Sequence, residues 1–244
     1  MWNIGVDEAG RGPVIGPLVV AVFACPEKDL QLLIDAGIQD SKQLSRQRRA
    51  VLETWLLAES KKRNWLIKIH ESSPAAIDNA MQRSNLNQHE RDIFAHLINQ
   101  ILPDDSSGII RLDACDVNEQ RFGEQVCEQL DVWPLEGWTV DSRHGADELF
   151  PEVGAASILA KEWRDRAIAE LSLDKNIALG SGYPSDPVTR EAVRKLIVDG
   201  VPDEVLRWRW KTTADISQEM FGHPPPTRPS IDGDGPEPAQ RTLF

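Results

Sequence analysis

The strongest constraint on the fold comes from two stretches near the N-terminus and the turn between them. Residues 17–24, Pro-Leu-Val-Val-Ala-Val-Phe-Ala, are a near-continuous apolar run of β-preferring residues and read as a buried strand. Residues 2–7 alternate weakly and close on Asp7, and the glycine-rich stretch from Gly10 to Gly16 separates the two runs. That order predicts a strand, a special turn and a neighbouring buried strand.

Downstream, helical and strand signals alternate. Val51, Leu52, Trp55 and Leu56 recur at helical spacing over residues 45–60, with Ser45 as the N-cap, and Trp65 to His70 reads as a strand. A helix begins at Ser73 as cap with Pro74 in its first turn. The next carries an apolar stripe of Ile93, Phe94, Leu97, Ile98 and Ile101, with Asn87 and Glu90 resembling a capping box. Ile109 to Asp113 is a short apolar run that ends on a carboxylate, Gly137 to Asp141 is strand-like, and Ala155 to Leu171 is helical. The pattern predicts a mixed α/β layered fold.

After Gly180 no further strand signal is legible. Asp186 and Pro187 open a helix bearing Val193, Leu196 and Ile197, which Gly200 ends. Three segments are therefore expected: a catalytic-type α/β body at 1–183, a small helical appendage at 184–221, and a disordered tail at 222–244. The tail holds six of the 16 prolines and few apolar residues, too few to bury a core.

A chain of 244 residues with 41% hydrophobic content can bury one substantial core. No window of about 18 apolar residues offers a membrane span, and Met1 to Val6 lacks the features of a secretory signal. Cys25, Cys115 and Cys127 are odd in number and without metal-type spacing, which fits reduced thiols and a cytoplasmic location. The net charge of −12 argues against a general nucleic-acid coat. Basic residues are nonetheless concentrated at positions 40–70: Lys42, Arg46, Arg48, Arg49, Lys61, Lys62, Arg63 and Lys68, against Asp40, Glu53 and Glu59. Arg207, Arg209 and Lys211 form a second cluster interleaved with Trp208 and Trp210. On composition alone a solvated helix face outweighs a phosphate site for both.

Asp7 and Glu8 pose a geometric problem, because successive side chains on a strand face opposite ways. The Gly-Arg-Gly turn offers a way round it: if Glu8 sits where the strand breaks, it can swing back toward Asp7. Asp113, at the end of its strand, occupies the position where ligand sites of α/β sheets gather. Asp116 competes with it, but reads better as the cap of a helix over Asn118 to Leu130. Asp147 precedes the long helix, on which Ser157, Lys161 and Arg164 share one polar-basic face. A set of carboxylates suits hard cations such as Mg²⁺ or Mn²⁺, and paired ions suit phosphodiester cleavage.

These blocks resemble ribonuclease HII, the type 2 ribonuclease H, most of all its archaeal members. The resemblance rests on GVDEAGRGPVIGPLVVA (5–21), DSKQLS (40–45), LDACDVN (112–118), HGADELFPEVGAASILAKEWRD (144–165) and GSGYPSDP (180–187), found in the expected order. It implies a ribonuclease H-like mixed five-stranded sheet flanked by helices. Asp7, Glu8, Asp113 and Asp147 would form the catalytic metal site. Gly10, Arg11 and Gly12 would sense the 2′-hydroxyl that marks RNA, and Tyr183 would pack on the following deoxyribose. Lys42, Ser157, Lys161 and Arg164 would contact the phosphate backbone. The expected activity is cleavage of RNA/DNA hybrids and nicking 5′ to ribonucleotides embedded in duplex DNA, by a monomer. The sequence departs from the family in Ser142 to Ala146, where a lysine is common, and at Glu162 and Trp163. The final residues, Gln240 with Leu243 and Phe244, resemble a truncated sliding-clamp-binding box. Two alternatives compete: another nuclease of the same fold, of resolvase or integrase type, and a non-catalytic nucleic-acid or clamp adaptor. The Gly-Arg-Gly turn and the Tyr183 block argue against the first, and the full carboxylate set against the second.

Overall fold

The computed structural model describes residues 1–38, 44–103 and 106–229. The predicted strand pair is present as β1 (Trp2–Ala9) and β2 (Leu18–Pro26), joined in antiparallel register with Asp7 opposite Ala21 and Glu8 opposite Val20. β3 (Leu66–Ser72) adds antiparallel to β2, while β4 (Gly108–Asp113) and β5 (Trp138–Arg143) run parallel to β1. The result is a five-stranded mixed sheet in the order β3-β2-β1-β4-β5.

Helices cover both faces, as a sheet with two apolar faces requires. One face of β1 and β2, bearing Ile4, Val6, Val20 and Val22, packs on α3 (Pro74–Arg83), α4 (Leu86–Asn99) and α5 (Glu119–Cys127). The other, bearing Val19, Ala21 and Phe23, packs on α1 (Leu30–Ala36), α2 (Arg46–Arg63) and the long α7 (Pro151–Asp174). Ser45 and Ser73 cap α2 and α3 as expected, accepting from the Arg48 and Ala76 amides. α7 lies so close to the sheet that a Cβ on Gly5 would overlap the Glu152–Val153 backbone. A glycine at that point of β1 is what lets the helix approach.

Three local expectations are corrected. α4 is capped by Asn85, whose side chain accepts from the Gln88 amide, so Asn87 and Glu90 are left for another task. α5 is capped by Asn118; Asp116 instead accepts from Arg121 and the Val117 amide. The C-terminal segment is not purely helical: α8 (Pro187–Lys195) and α9 (Lys211–Phe221) flank a small hairpin, β6 (Ile197–Val198) with β7 (Val201–Pro202). Gly200, at φ 78°, turns that hairpin rather than ending a helix.

The C-terminal segment shares a third apolar cluster with the turn after β1. Val14 and Ile15 pack there with Ile168, Leu179, Val193, Leu206 and Ile216. Of the residues expected in the tail, those at 222–229 lie within the described chain. Arg228 among them is buried, donating to the Asp78 carboxylate and to the Leu206 carbonyl. No helix among the described residues is long and apolar enough to cross a membrane.

Candidate active site

β1 and β4 stay in parallel register from Trp2–Gly108 to Val6–Leu112. One rung further come Asp7 and Asp113, past the last paired residues and on the same face of the sheet. Just beyond β5 the chain makes α6 (Ala146–Leu149), whose Gly145 and Ala146 amides donate to the Asp113 carboxylate at 2.8 and 3.2 Å. Asp113 thereby fixes the turn that carries Asp147. Oxygens of Asp7, Asp113 and Asp147 lie within 4.8 Å of one another, and Asp7 and Asp147 are buried.

α7 contributes the cationic side of the cluster. Ser157 and Lys161, one turn apart, both reach Asp147: the Ser157 hydroxyl at 3.3 Å and the Lys161 ammonium at 3.5 Å, with 2.7 Å between Lys161 and Ser157. Burial and the neighbouring Asp113 carboxylate raise the Asp7 pKa to about 7, against the pull of Lys161. Three converging hard oxygen donors, one of them reluctant to ionise unaided, are the donor set a divalent cation would satisfy.

Glu8 does not leave the strand. It remains in the β1–β2 ladder opposite Val20, and the pleat sends it to the α4 face while Asp7 faces α7. It lies outside the three-aspartate group. Its carboxyl is raised well above the ordinary range by burial, then by Asp7, Glu90 and Asp113, with Arg11 opposing. The glycines serve the turn instead: Gly10 has φ 92°, and a side chain there would collide with Arg164 and the Pro17 carbonyl.

The Gly-Arg-Gly turn is held from two sides. Arg11 reaches to α4, forming an ion pair with buried Glu90 and donating to Asn87 Oδ1 at 2.6 Å. The Cys115 thiol also donates to Glu90. Asn87 and Glu90, legible in sequence as a cap, thus clamp the arginine. Behind the turn lies Arg207, a fully buried side chain. Its Nε donates to Gly16 O at 3.1 Å, Nη1 to Arg11 O at 2.9 Å and Nη2 to Gly10 O at 2.5 Å. Sequence reasoning put Arg207 on a solvated basic face; only its place between Leu206 and Trp208, in a segment rich in tryptophan, hinted otherwise.

Tyr183 stands across the cleft, 42% exposed, with the Arg164 guanidinium 5.5 Å from its ring centre. Its loop is tied to the same turn, since the Val14 amide donates to Gly182 O at 2.8 Å. Glu8, Gly10, Gly12, Lys161, Arg164 and Tyr183 line one open cleft. Two expected phosphate contacts sit differently from the solvated face that their spacing suggested. Ser157 is fully buried against Asp147, and Arg164 is buried and donates to Ile15 O. The reason is that α7 is sandwiched between the sheet and α2, which leaves little of it exposed. Lys42, together with Gln240, Leu243 and Phe244, lies outside the described residues. Of the basic group at 40–70, Arg49 is committed to Glu162 and Asp165, and Lys62 and Arg63 to Glu59.

A mixed five-stranded sheet with acidic residues converging at its strand ends defines a ribonuclease H-like nuclease. The chain belongs to the ribonuclease HII family, whose model matches residues 4–213. It is 38% identical to ribonuclease HII of Methanococcus maripaludis (strain C6 / ATCC BAA-1332) over 219 residues, covering 89% of this chain and 87% of the relative. With ribonuclease HII of Methanocella arvoryzae the identity is 41% over 213 residues, 86% and 89% of the two chains. Among solved structures, ribonuclease H2 from Pyrococcus horikoshii OT3 superposes with TM-score 0.76 at 34% identity, covering 90% of this chain and 98% of that one. Ribonuclease HII in the PCNA complex from Archaeoglobus fulgidus gives TM-score 0.72 at 36% identity, with 86% and 96% coverage. The protein is a ribonuclease H endonuclease, acting on RNA/DNA hybrids.

Proposed function

We propose that this ribonuclease H also nicks duplex DNA 5′ to a single embedded ribonucleotide, leaving a 3′-hydroxyl and a 5′-phosphate. The observation that carries the reading is one cleft in which the Gly10–Gly12 turn and Tyr183 face each other beside the Asp7–Asp113–Asp147 cluster. The 2′-hydroxyl is the group that distinguishes RNA from DNA at one nucleotide, and it both donates and accepts. Backbone groups of Arg11 and Gly12 can meet it, because glycine lets a ligand come close to the main chain. Tyr183 offers a flat surface to the next sugar, where a second 2′-hydroxyl would crowd the ring.

Asp7, Glu8, Asp113 and Asp147 would hold Mg²⁺ or Mn²⁺, Glu8 from the other side of the strand end. A divalent cation bound there supplies an activated water and offsets charge on the leaving oxygen. Lys161, 3.5 Å from Asp147, would stand beside the scissile phosphate. Ser157 fixes the Asp147 rotamer, and Arg164 supports Tyr183 from beneath.

The tail supplies a partner. Gln240, Leu243 and Phe244 would dock on a sliding clamp, a reading supported by the Archaeoglobus relative having been solved in complex with PCNA. End mapping tests the cleavage chemistry: a 5′-phosphate on the ribonucleotide fragment supports the reading, and a 5′-hydroxyl contradicts it.

A further inference from the structure

The geometry points to Arg207 and Trp210 as positioning residues for ribose recognition, acting through the carbonyls of the Gly-Arg-Gly turn; this rests on the functional reading above. Three successive carbonyls in that turn are all taken from behind. Arg207 donates to Gly10 O and Arg11 O, and Trp210 Nε1 donates to Gly12 O at 3.1 Å. In a trans peptide the C=O and the following N–H point in opposite directions. Pinning the Gly10 and Arg11 carbonyls toward the interior therefore turns the Arg11 and Gly12 N–H groups toward the cleft. Those two amides are the donors available to a sugar oxygen there, since Pro13 has none. The Trp210 bond to Gly12 O therefore orients no donor itself but fixes the end of the turn, while its ring backs the Arg207 guanidinium. Glycine peptides rotate readily, so without these anchors the turn would sample orientations that withdraw the donors.

The rest of the 205–210 segment is built to hold the anchors in place. The Gly16 amide donates to Val205 O, the Arg207 amide to Val14 O, and the Thr213 hydroxyl to Arg207 O. The Trp210 ring lies 4.7 Å from the Arg207 guanidinium. No salt bridge to Arg207 is formed among the described residues; the buried charge is met by carbonyl dipoles. A buried guanidinium is costly to desolvate, and here backbone carbonyls of the turn supply its acceptors. A planar fork matches three fixed carbonyls, and a lysine ammonium does not. On the far side, a Cβ on Gly12 would lie 3.6 Å from Tyr183, so the oriented peptides border the proposed deoxyribose platform.

The test uses the full-length protein with Trp210→Phe and Arg207→Lys. Trp210→Phe keeps the ring and removes only the N–H, so it reports even if Arg207→Lys fails to fold. In EDTA, where no cutting occurs, affinity is measured for a duplex carrying one ribonucleotide and for the all-DNA duplex of the same sequence. The ratio of the two is insensitive to a fraction of unfolded protein. It should fall about fivefold in Trp210→Phe, the loss of one well-placed hydrogen bond, and further in Arg207→Lys. All-DNA affinity should stay at the wild-type level, and kcat on the ribonucleotide duplex should fall with the ratio. A wild-type ratio and kcat in Trp210→Phe, or equal weakening on both duplexes, would overturn the assignment. A wild-type protein that does not distinguish the two duplexes would instead sink the functional reading beneath it.

Discussion

Asp7 and Asp113 occupy the first rung beyond the parallel pairing of β1 with β4, one step past Val6 and Leu112. Two carboxylates brought together by sheet register repel unless a cation or a proton intervenes. The site is therefore preorganised at the expense of its own ionisation, and the first three predictions follow from that tension.

Asp7→Asn should lower cutting of any ribonucleotide-containing substrate by about a hundredfold or more, while leaving duplex affinity near wild type. The turn, Tyr183 and the cleft do not depend on the carboxylate charge. Single-turnover cleavage and fluorescence-anisotropy binding measure the two effects separately. An active Asp7→Asn enzyme would mean that the metal centre lies elsewhere.

Stability of the metal-free protein should fall as pH rises from about 4 to about 7. The Asp7 carboxyl has its folded pKa raised from 3.8 to about 7, so across that window the native state holds a proton that the unfolded chain has lost. The carboxyls of half-buried Glu8 and buried Glu90, both raised, add in the same direction. Thermal midpoints recorded in EDTA across the range should decline for wild type and more shallowly for Asp7→Asn. Parallel curves for the two proteins would refute the raised pKa.

Lys161→Met should move the acid limb of the pH–rate profile to higher pH. The ammonium lowers the Asp7 pKa and lies 3.5 Å from Asp147, so its removal makes protons harder to displace from the cluster. Raising the divalent-cation concentration should partly restore the rate at low pH. An unshifted acid limb would show that Lys161 has no electrostatic hold on the carboxylates.

Removing residues 240–244 should leave cleavage of naked duplex intact and weaken binding to a sliding clamp by at least about tenfold, since the anchors of a docked peptide carry most of its affinity. Surface plasmon resonance against immobilised clamp gives the comparison, and unchanged affinity would remove the tail from the account.

Much of this architecture was legible in the sequence because it depends on local signals. The β1–turn–β2 unit, the capping serines of α2 and α3, and Asp113 at its strand end all follow from periodicity and turn chemistry. What escaped depends on contacts between distant segments. Asn87 and Glu90 sit at a spacing that suits a capping box and equally suits a two-point grip on Arg11, and only the approach of the turn decides between them. Arg207 reads as surface charge because a buried arginine needs acceptors, and its acceptors lie nearly 200 residues away. Ser157 and Arg164 form a polar stripe that looks solvated until α2 and the sheet close over α7. Glu8 was expected to leave the strand, yet the ladder with β2 continues through Ala9 and the pleat alone separates it from Asp7.

The central claim is that one cleft couples a carboxylate metal site to recognition of a single ribose. Its most direct test compares two DNA duplexes identical except for one 2′-hydroxyl, each incubated with the protein and Mg²⁺ or Mn²⁺. The account predicts a single nick immediately 5′ to the ribonucleotide and no cleavage of the all-deoxy duplex. Intact ribonucleotide duplex with both metals, or equal cutting of the two, would contradict it.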